Sequence, residues 1–278
     1  MQNDKILKVE YNYFQINIAS KIATVTIDRA DKANALNIKA WEELRHVFET
    51  LDKEKEARVI ILNAAGKHFC SGMDIAALMD IAQVRHMDCQ SRMREAFREK
   101  LFALQAAVTS LEKCQKPVLV SIHGACIGGG IDLVTAGDIR YATKDAKFSI
   151  KEVDMGLVAD MGTLQRLPKL ISPALVAELA YTGRNMSGEE AEKVAMVNKA
   201  FDTKEDMESY VLKIAEAIAS KSPVVIRGTK NVLKYSRDHS VEDALNYVTT
   251  WNAGMIFSND IMEAMAASFE KREAKFED

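Results

Sequence analysis

Residues 123–142 read HGACIGGGIDLVTAGDIRYA. A buried strand, predicted within PVLVSIHG (117–124), runs into three successive glycines, Gly128, Gly129 and Gly130, that open an apolar helix. Glycine lets another group approach the backbone, and a helix start leaves N–H groups unpaired at the positive end of its dipole. The stretch therefore fits either an anion or oxyanion site or a plain strand-to-helix turn. The Walker pattern, with its Gly-Lys-Ser/Thr ending, is missing. GACIGGG also fails to match GxGxxG with a later acidic residue, which argues against a loop that cradles nucleotide phosphates.

Working outward, YFQINI (13–18) and IATVTID (22–28) read as strands joined by a turn at Ser20-Lys21, followed by a helix from Asn37 to about Lys55. RVIILNA (58–64) is a continuous apolar run of the kind buried on both faces of a helix-covered sheet. A polar helix is expected over 90–114, and strands at DIRYAT (138–143) and KFSI (147–150). From Leu164 the signals are helical almost throughout. Ser187 to Glu190, Thr203 to Asp206 and Ser240 to Asp243 have capping-box form, and Ser222-Pro223 places Pro at a first helical position. The reading is an α/β core over 1–200 and a helical region over 201–278, packed on the core or on a neighbouring subunit.

The chain has 278 residues, with 37 Lys and Arg against 40 Asp and Glu for a net charge of −3, which argues against a dedicated nucleic-acid binder. A hydrophobic content of 48% can bury a sizeable core. Cys70, Cys89, Cys114 and Cys126 form no CxxC pair, so neither a disulfide framework nor a zinc site is expected. None of His46, His68, His86, His123 and His239 falls in a metal or triad pattern. The N-terminal MQNDKILKVEYNYF lacks an apolar signal core, no window suits a membrane span, and the terminal KREAKFED lacks the peroxisomal Ser-Lys-Leu address. The expectation is a cytoplasmic protein with no membrane or nucleic-acid partner and no metal.

Four acids stand out. Asp132 lies in the first turn of the apolar helix, so it is either a helix-dipole partner or a carboxylate whose burial perturbs its pKa. Glu152, Asp154 and Asp160 lie in FSIKEVDMGLVADMGTLQRLP (148–168), which has few cations to neutralise them. They form either a solvated loop face or, for Asp160 in its Val158-Ala159-Asp160-Met161-Gly162 setting, an acid bent toward a pocket and suited to proton transfer. KHFCSGMDIAAL (67–78) offers a second backbone-donor turn at Ser71-Gly72. Cys70 and Ser71 lack a nucleophile's partners, and Cys70 reads as buried filler.

Together these segments resemble the crotonase (enoyl-CoA hydratase/isomerase) superfamily over essentially the whole chain. The matching pieces are Asn34-Ala35-Leu36-Asn37, Phe69 to Asp74, His123-Gly124 through Gly130, Asp138 to Tyr141, Gly162 to Pro168, and Phe269 to Arg272. The resemblance implies an α/β spiral of ββα repeats, with a C-terminal helical region that builds homotrimers, commonly paired into hexamers. It implies that the backbone N–H groups of Met73 and Gly129 form an oxyanion hole for an acyl-CoA thioester. It places the acyl-CoA clamp on Lys32, Ala33, Gly72, Asp74, Ile75 and Ala76, with Lys271 on a phosphate. No cofactor is implied, coenzyme A being part of the substrate.

Within that superfamily, Asp132, Lys151 to Asp154, Asp160 and the segment Tyr235 to Ser240 are similar to the Δ3,5-Δ2,4-dienoyl-CoA isomerases. The similarity implies that Glu152 is the base at carbon 2 and Asp160 the acid at carbon 6. Asp132 would be a third carboxylate that positions the diene and raises its neighbours' pKa. The alternatives are hydration of 2-enoyl-CoA by Asp132 and Glu152, or a non-catalytic or RNA-binding relative. The last would want a basic helical face, and WEELRHVFETLDKEKEAR (41–58) mixes signs.

Overall fold

The computed structural model describes residues 10–82 and 87–278. The features read at residues 1–9 and at His86 lie outside the described residues. In chain order the strands are β1 (Phe14–Ala19), β2 (Ile22–Ile27), β3 (Val59–Ala64), β4 (Val118–Ile122), β5 (Ala125–Ile127), β6 (Ile139–Thr143), β7 (Lys147–Ser149), β8 (Met186–Ser187) and β9 (Lys199–Phe201). The helices are α1 (Ile38–Lys53), α2 (Ile75–Ala82), α3 (Gln90–Lys113), α4 (Gly129–Ala136), α5 (Thr163–Arg166), α6 (Pro173–Thr182), α7 (Gly188–Lys193), α8 (Lys204–Ala219), α9 (Pro223–Asp238), α10 (Val241–Met255) and α11 (Asn259–Glu270).

β1 and β2 form an antiparallel hairpin, turned by Ser20 and Lys21 in the left-handed region. The rest of the main sheet is parallel, in the order β1-β2-β3-β4-β6-β9. Its apolar strands feed two cores because successive side chains face opposite ways. Ile60, Leu62, Val118 and Val120 join the larger core with α1 and α3, whereas Val59, Ile61 and Leu119 join a smaller one with α8. That is why 58–64 carries no polar alternation.

Two elements differ from expectation. The stretch 117–127 is two strands, because Gly124 (φ +60) turns the chain where an added Cβ would lie 2.0 Å from the Lys67 carbonyl oxygen. After that turn, β5 leaves the main sheet for a second one, ordered β5-β7-β8. The helical half also contains strands: β9 closes the edge of the main sheet beside β6. The division expected at residue 200 therefore falls inside a strand, and α8 beyond it covers the second face of the sheet. The predicted caps are made: the hydroxyls of Ser187, Thr203, Ser222 and Ser240 accept from the backbone N–H groups of Glu190, Asp206, Val225 and Asp243.

Buried polar ties hold the loops that matter to the site. Lys116 donates to the Leu51 and Glu54 carbonyls at the end of α1, and burial lowers its pKa. Lys230 of α9 reaches through the wall to the Lys116 carbonyl (2.9 Å) and to Asp138 (2.7 Å), fixing α9 to the end of β4. Asn34, fully buried and left-handed (φ 55), accepts from Arg29 N and donates to the Ala65 and His68 carbonyls. Asn34→Ala removes all three bonds and leaves buried carbonyls bare. Urea denaturation is expected to show a loss of about 2–4 kcal/mol.

Candidate active site

Two turns meet at the centre of the molecule. The first, 70–74, runs beside Leu36: Leu36 N donates to the Gly72 carbonyl and Asp74 N to the Leu36 carbonyl, a parallel bridge centred on Met73. In that register the Met73 N–H points away from Leu36. The second turn is Gly128-Gly129 at the start of α4. The backbones abut so closely that a Cβ on Gly72 (φ +92) would lie 2.9 Å from the Ile127 carbonyl oxygen and 3.2 Å from Gly129 N. Trp41 of α1 packs against the second turn, 3.0 Å from where a Gly129 side chain would begin. Among the described residues, neither the Met73 N–H nor the Gly129 N–H donates a hydrogen bond. Two unpaired backbone donors, one at a helix N-terminus, are what a developing oxyanion needs.

The acids stand in graded surroundings. Asp132 is buried in α4, and its Oδ1 accepts from both the N–H and the hydroxyl of Thr163, each at 2.7 Å. Burial pushes its pKa up to about 7, Thr163 opposing and the Glu152 charge adding. Asp132 does not cap its own helix. Glu152 opens the 3₁₀ turn Glu152–Met155, its Oε1 3.3 Å from where a Gly128 side chain would begin. Its Oε2 is buried with no partner among the described residues. Its pKa is raised by burial and then by the charge of Asp160. Asp160 is half-buried, its pKa raised by burial, and its carbonyl accepts from Gln105 of α3 at 2.7 Å.

Like charges repel mutually, so Asp160 and Glu152 disfavour each other's ionisation, and so do Glu152 and Asp132. Asp154, by contrast, is a solvated loop acid paired with Lys151 (2.7 Å). Cys70 is buried, as expected of filler, with its thiol pushed up to about 12 by burial. The sequence reading missed Thr163 and Gln105. Thr163 sat within a quoted motif but carried no chemistry of its own, and Gln105 is one amide on a long polar helix.

The structure brings together most of the residues expected to clamp acyl-CoA. Ser71 N donates to the Ala33 carbonyl, so Lys32 and Ala33 lie beside Gly72, Asp74, Ile75 and Ala76. The Asp74 carboxylate is committed inward: it pairs with Arg29 (2.5 Å) and accepts from Ala76 N, and those bonds hold its pKa down. Ile75 is 70% exposed at the start of α2. Lys271 sits apart, left-handed at the end of α11, with no hydrogen bond or ion pair to the clamp among the described residues.

Residues 17–278 match the family described as enoyl-CoA hydratase/isomerase. The chain belongs to that family. Among relatives of this enoyl-CoA hydratase/isomerase is the peroxisomal Delta(3,5)-Delta(2,4)-dienoyl-CoA isomerase of Arabidopsis thaliana, 47% identical over 94% of each chain. The mitochondrial Delta(3,5)-Delta(2,4)-dienoyl-CoA isomerase of Mus musculus is 43% identical over 96% of this chain and 83% of its own. The crystal structure of an enoyl-CoA hydratase from Bacillus anthracis superposes with a TM-score of 0.82 at 27% identity, covering 99% of both chains. The fold is the crotonase fold, with the helices α8–α11 at its C-terminal end.

The raised pKa of Asp132 carries a stability consequence for this family member. Below the ordinary value of 3.8 both folded and unfolded chains hold the proton. Between there and about 7 the unfolded chain releases it while the folded one keeps it, so stability falls as pH rises, and the loss is complete above about 7. Asp132→Asn, which can still accept from Thr163, is expected to change stability little at pH 4. At pH 8 it is expected to stabilise by at most about 4 kcal/mol, read by urea denaturation at both pH values.

Proposed function

We propose that the protein isomerises 3,5-dienoyl-CoA to 2,4-dienoyl-CoA. The single observation that carries this reading is the division of labour among the three acids. Asp132 is tied to Thr163, while Glu152 and Asp160 have no cation pairing their carboxylates among the described residues. The two relatives named above carry the same activity in their names.

In this reading the thioester carbonyl lies against the Met73 and Gly129 N–H groups, and Lys32, Ala33, Gly72, Asp74, Ile75 and Ala76 hold the coenzyme A portion, chiefly by backbone atoms. Glu152 takes a proton from carbon 2, the enolate extends through the diene, and Asp160 protonates carbon 6. Each oxyanion donor contributes about 3–4 kcal/mol to such a transition state. Asp132, its Oδ1 held by Thr163 and its pKa raised to about 7, shapes the pocket and takes no part in the proton transfers. The thioester is the electron sink, so no redox or metal cofactor is required. Lys271 reaches a phosphate only if a subunit contact brings it to the clamp.

Hydration of a 2-enoyl-CoA is the second reading, and it needs Asp132 to help hold water. The two Thr163 bonds on its Oδ1 disfavour that role. A homotrimer, or a hexamer of two trimers, is proposed from the apolar groups that α9–α11 expose, among them Leu233 (67%), Phe257 (96%) and Phe269 (87%). Light scattering checks it, and a monomer at micromolar concentration overturns it. No helix among the described residues is long and apolar enough to cross a membrane. The cytoplasmic location proposed from sequence differs from the peroxisomal and mitochondrial designations of the two relatives, and cell fractionation separates the three.

The deciding experiment measures 3,5-octadienoyl-CoA isomerisation and 2-butenoyl-CoA hydration side by side. Asp160→Asn is expected to slow isomerisation by about 10²–10⁴-fold with little change in KM. Any hydration is expected to survive that substitution. Full isomerisation by Asp160→Asn, or hydration alone by the unaltered protein, overturns the reading.

A further inference from the structure

Asp160 borders a second space. A cavity of about 470 Å³ lies between α3, the segment 161–169 and the end of α9, and its wall includes Gln105, Thr109, Gln165, Arg166 and Lys169 beside Asp160. The charged groups of this wall are committed to one another. Arg166 pairs with Glu112 (2.9 Å), Arg237 with Glu112 and Asp238, and Lys169 with Asp238. Among the described residues none of these cations bonds the Asp160 carboxylate, so it is not pinned as an anion. Gln105 and Arg166 instead hold the loop backbone, donating to the Asp160 and Met161 carbonyls at 2.7 and 3.4 Å. A polar space of this size with several hydrogen-bonding groups holds water.

The isomerisation proposed above leaves an unbalanced pair after each turnover. The carbon 2–hydrogen bond breaks and its proton goes to the Glu152 carboxylate, while the electron pair moves onto the thioester oxygen. The pair then returns through the diene to form a carbon 6–hydrogen bond with the Asp160 proton. Glu152 ends protonated and Asp160 ionised, the opposite of the starting state. No hydrogen bond joins the two carboxylates among the described residues, and Glu152 Oε2 is sealed without a partner.

We propose that the cavity behind Asp160 is its proton-exchange route, so that the hydrogen placed on carbon 6 comes from water and not from carbon 2. Water in the cavity gives Asp160 its proton, and Glu152, a partly exposed residue, returns one to solvent from its other carboxylate oxygen, Oε1, so each cycle closes without net transfer. Gln165 is an exposed residue of the wall whose side chain makes no hydrogen bond among the described residues, and it serves as the control point. The inference rests on the isomerase reading.

The test follows 3,5-octadienoyl-CoA in D₂O by mass spectrometry at low conversion, and carbon 2-deuterated substrate in H₂O. Deuterium on carbon 6 from D₂O, and none carried there from carbon 2, is the expected result. Gln165→Trp, which places an apolar bulk in the wall, is expected to lower kcat about tenfold with KM unchanged and to increase the solvent isotope effect. Gln165→Glu is expected to keep the full rate. Transfer of the carbon 2 label to carbon 6 overturns the inference, and so does an unchanged kcat and isotope effect in Gln165→Trp. Absence of isomerisation in the unaltered protein overturns the isomerase reading instead, which keeps the two failures distinct.

Discussion

A protein interior rarely leaves backbone donors unpaired, because each costs about as much as a lost hydrogen bond. Here two such donors, at Met73 and Gly129, are kept free on turns whose backbones abut at Gly72 and Gly129. The surroundings make that possible by leaving nothing else to rearrange. Leu36 takes the flanking carbonyl and N–H of the first turn, Trp41 backs the second, and Gly72 admits an approach that any Cβ would block. Asn34 fastens the neighbouring turn to the loop that leads into the first donor. The cost of two bare donors is spread over many satisfied groups around them, which is how a preorganised electrostatic site stays preorganised.

The acids obey the same economy of position. Three carboxylates near one pocket cannot all be charged cheaply, and the structure separates them by depth. The deepest, Asp132, keeps its proton most readily and is hydrogen-bonded by Thr163. Glu152, close to the glycine turn, has an oxygen with no partner, and Asp160 lies furthest out on a loop held by its carbonyls. An acid on a loop gripped by backbone bonds can change its protonation without moving the loop. One gripped through its carboxylate, as Asp74 is by Arg29, cannot do so as freely.

Much of this was legible in the order of residues. The continuous apolar run at 58–64 announced a strand covered on both faces, PVLVSIHG (117–124) announced a buried one, and the capping boxes located the starts of α7, α8 and α10. The three glycines before an apolar helix pointed to the donor turn. What escaped had physical reasons. β5 and β9 are three residues each, too short for any period to register, and both exist only because a partner strand is already in place. Sequence shows the charge of Asp132 and not its depth, and it is the depth that raises its pKa most. Lys271 belongs to a matching terminal segment, and the structure shows it as the left-handed residue that ends α11.

The two thiols nearest the site gain a meaning from the reaction proposed. A conjugated dienoyl thioester is an electrophile that adds thiolates, so an enzyme releasing one risks alkylating itself. Cys70 and Cys126 face each other across an isolated bridge between the donor turns, fully buried, and burial holds both thiols far above the range in which thiolate forms. Sulfur there fills space without offering a nucleophile. The burial that keeps these two sulfurs as thiols leaves the turns they pack between resistant to alkylation by such a product.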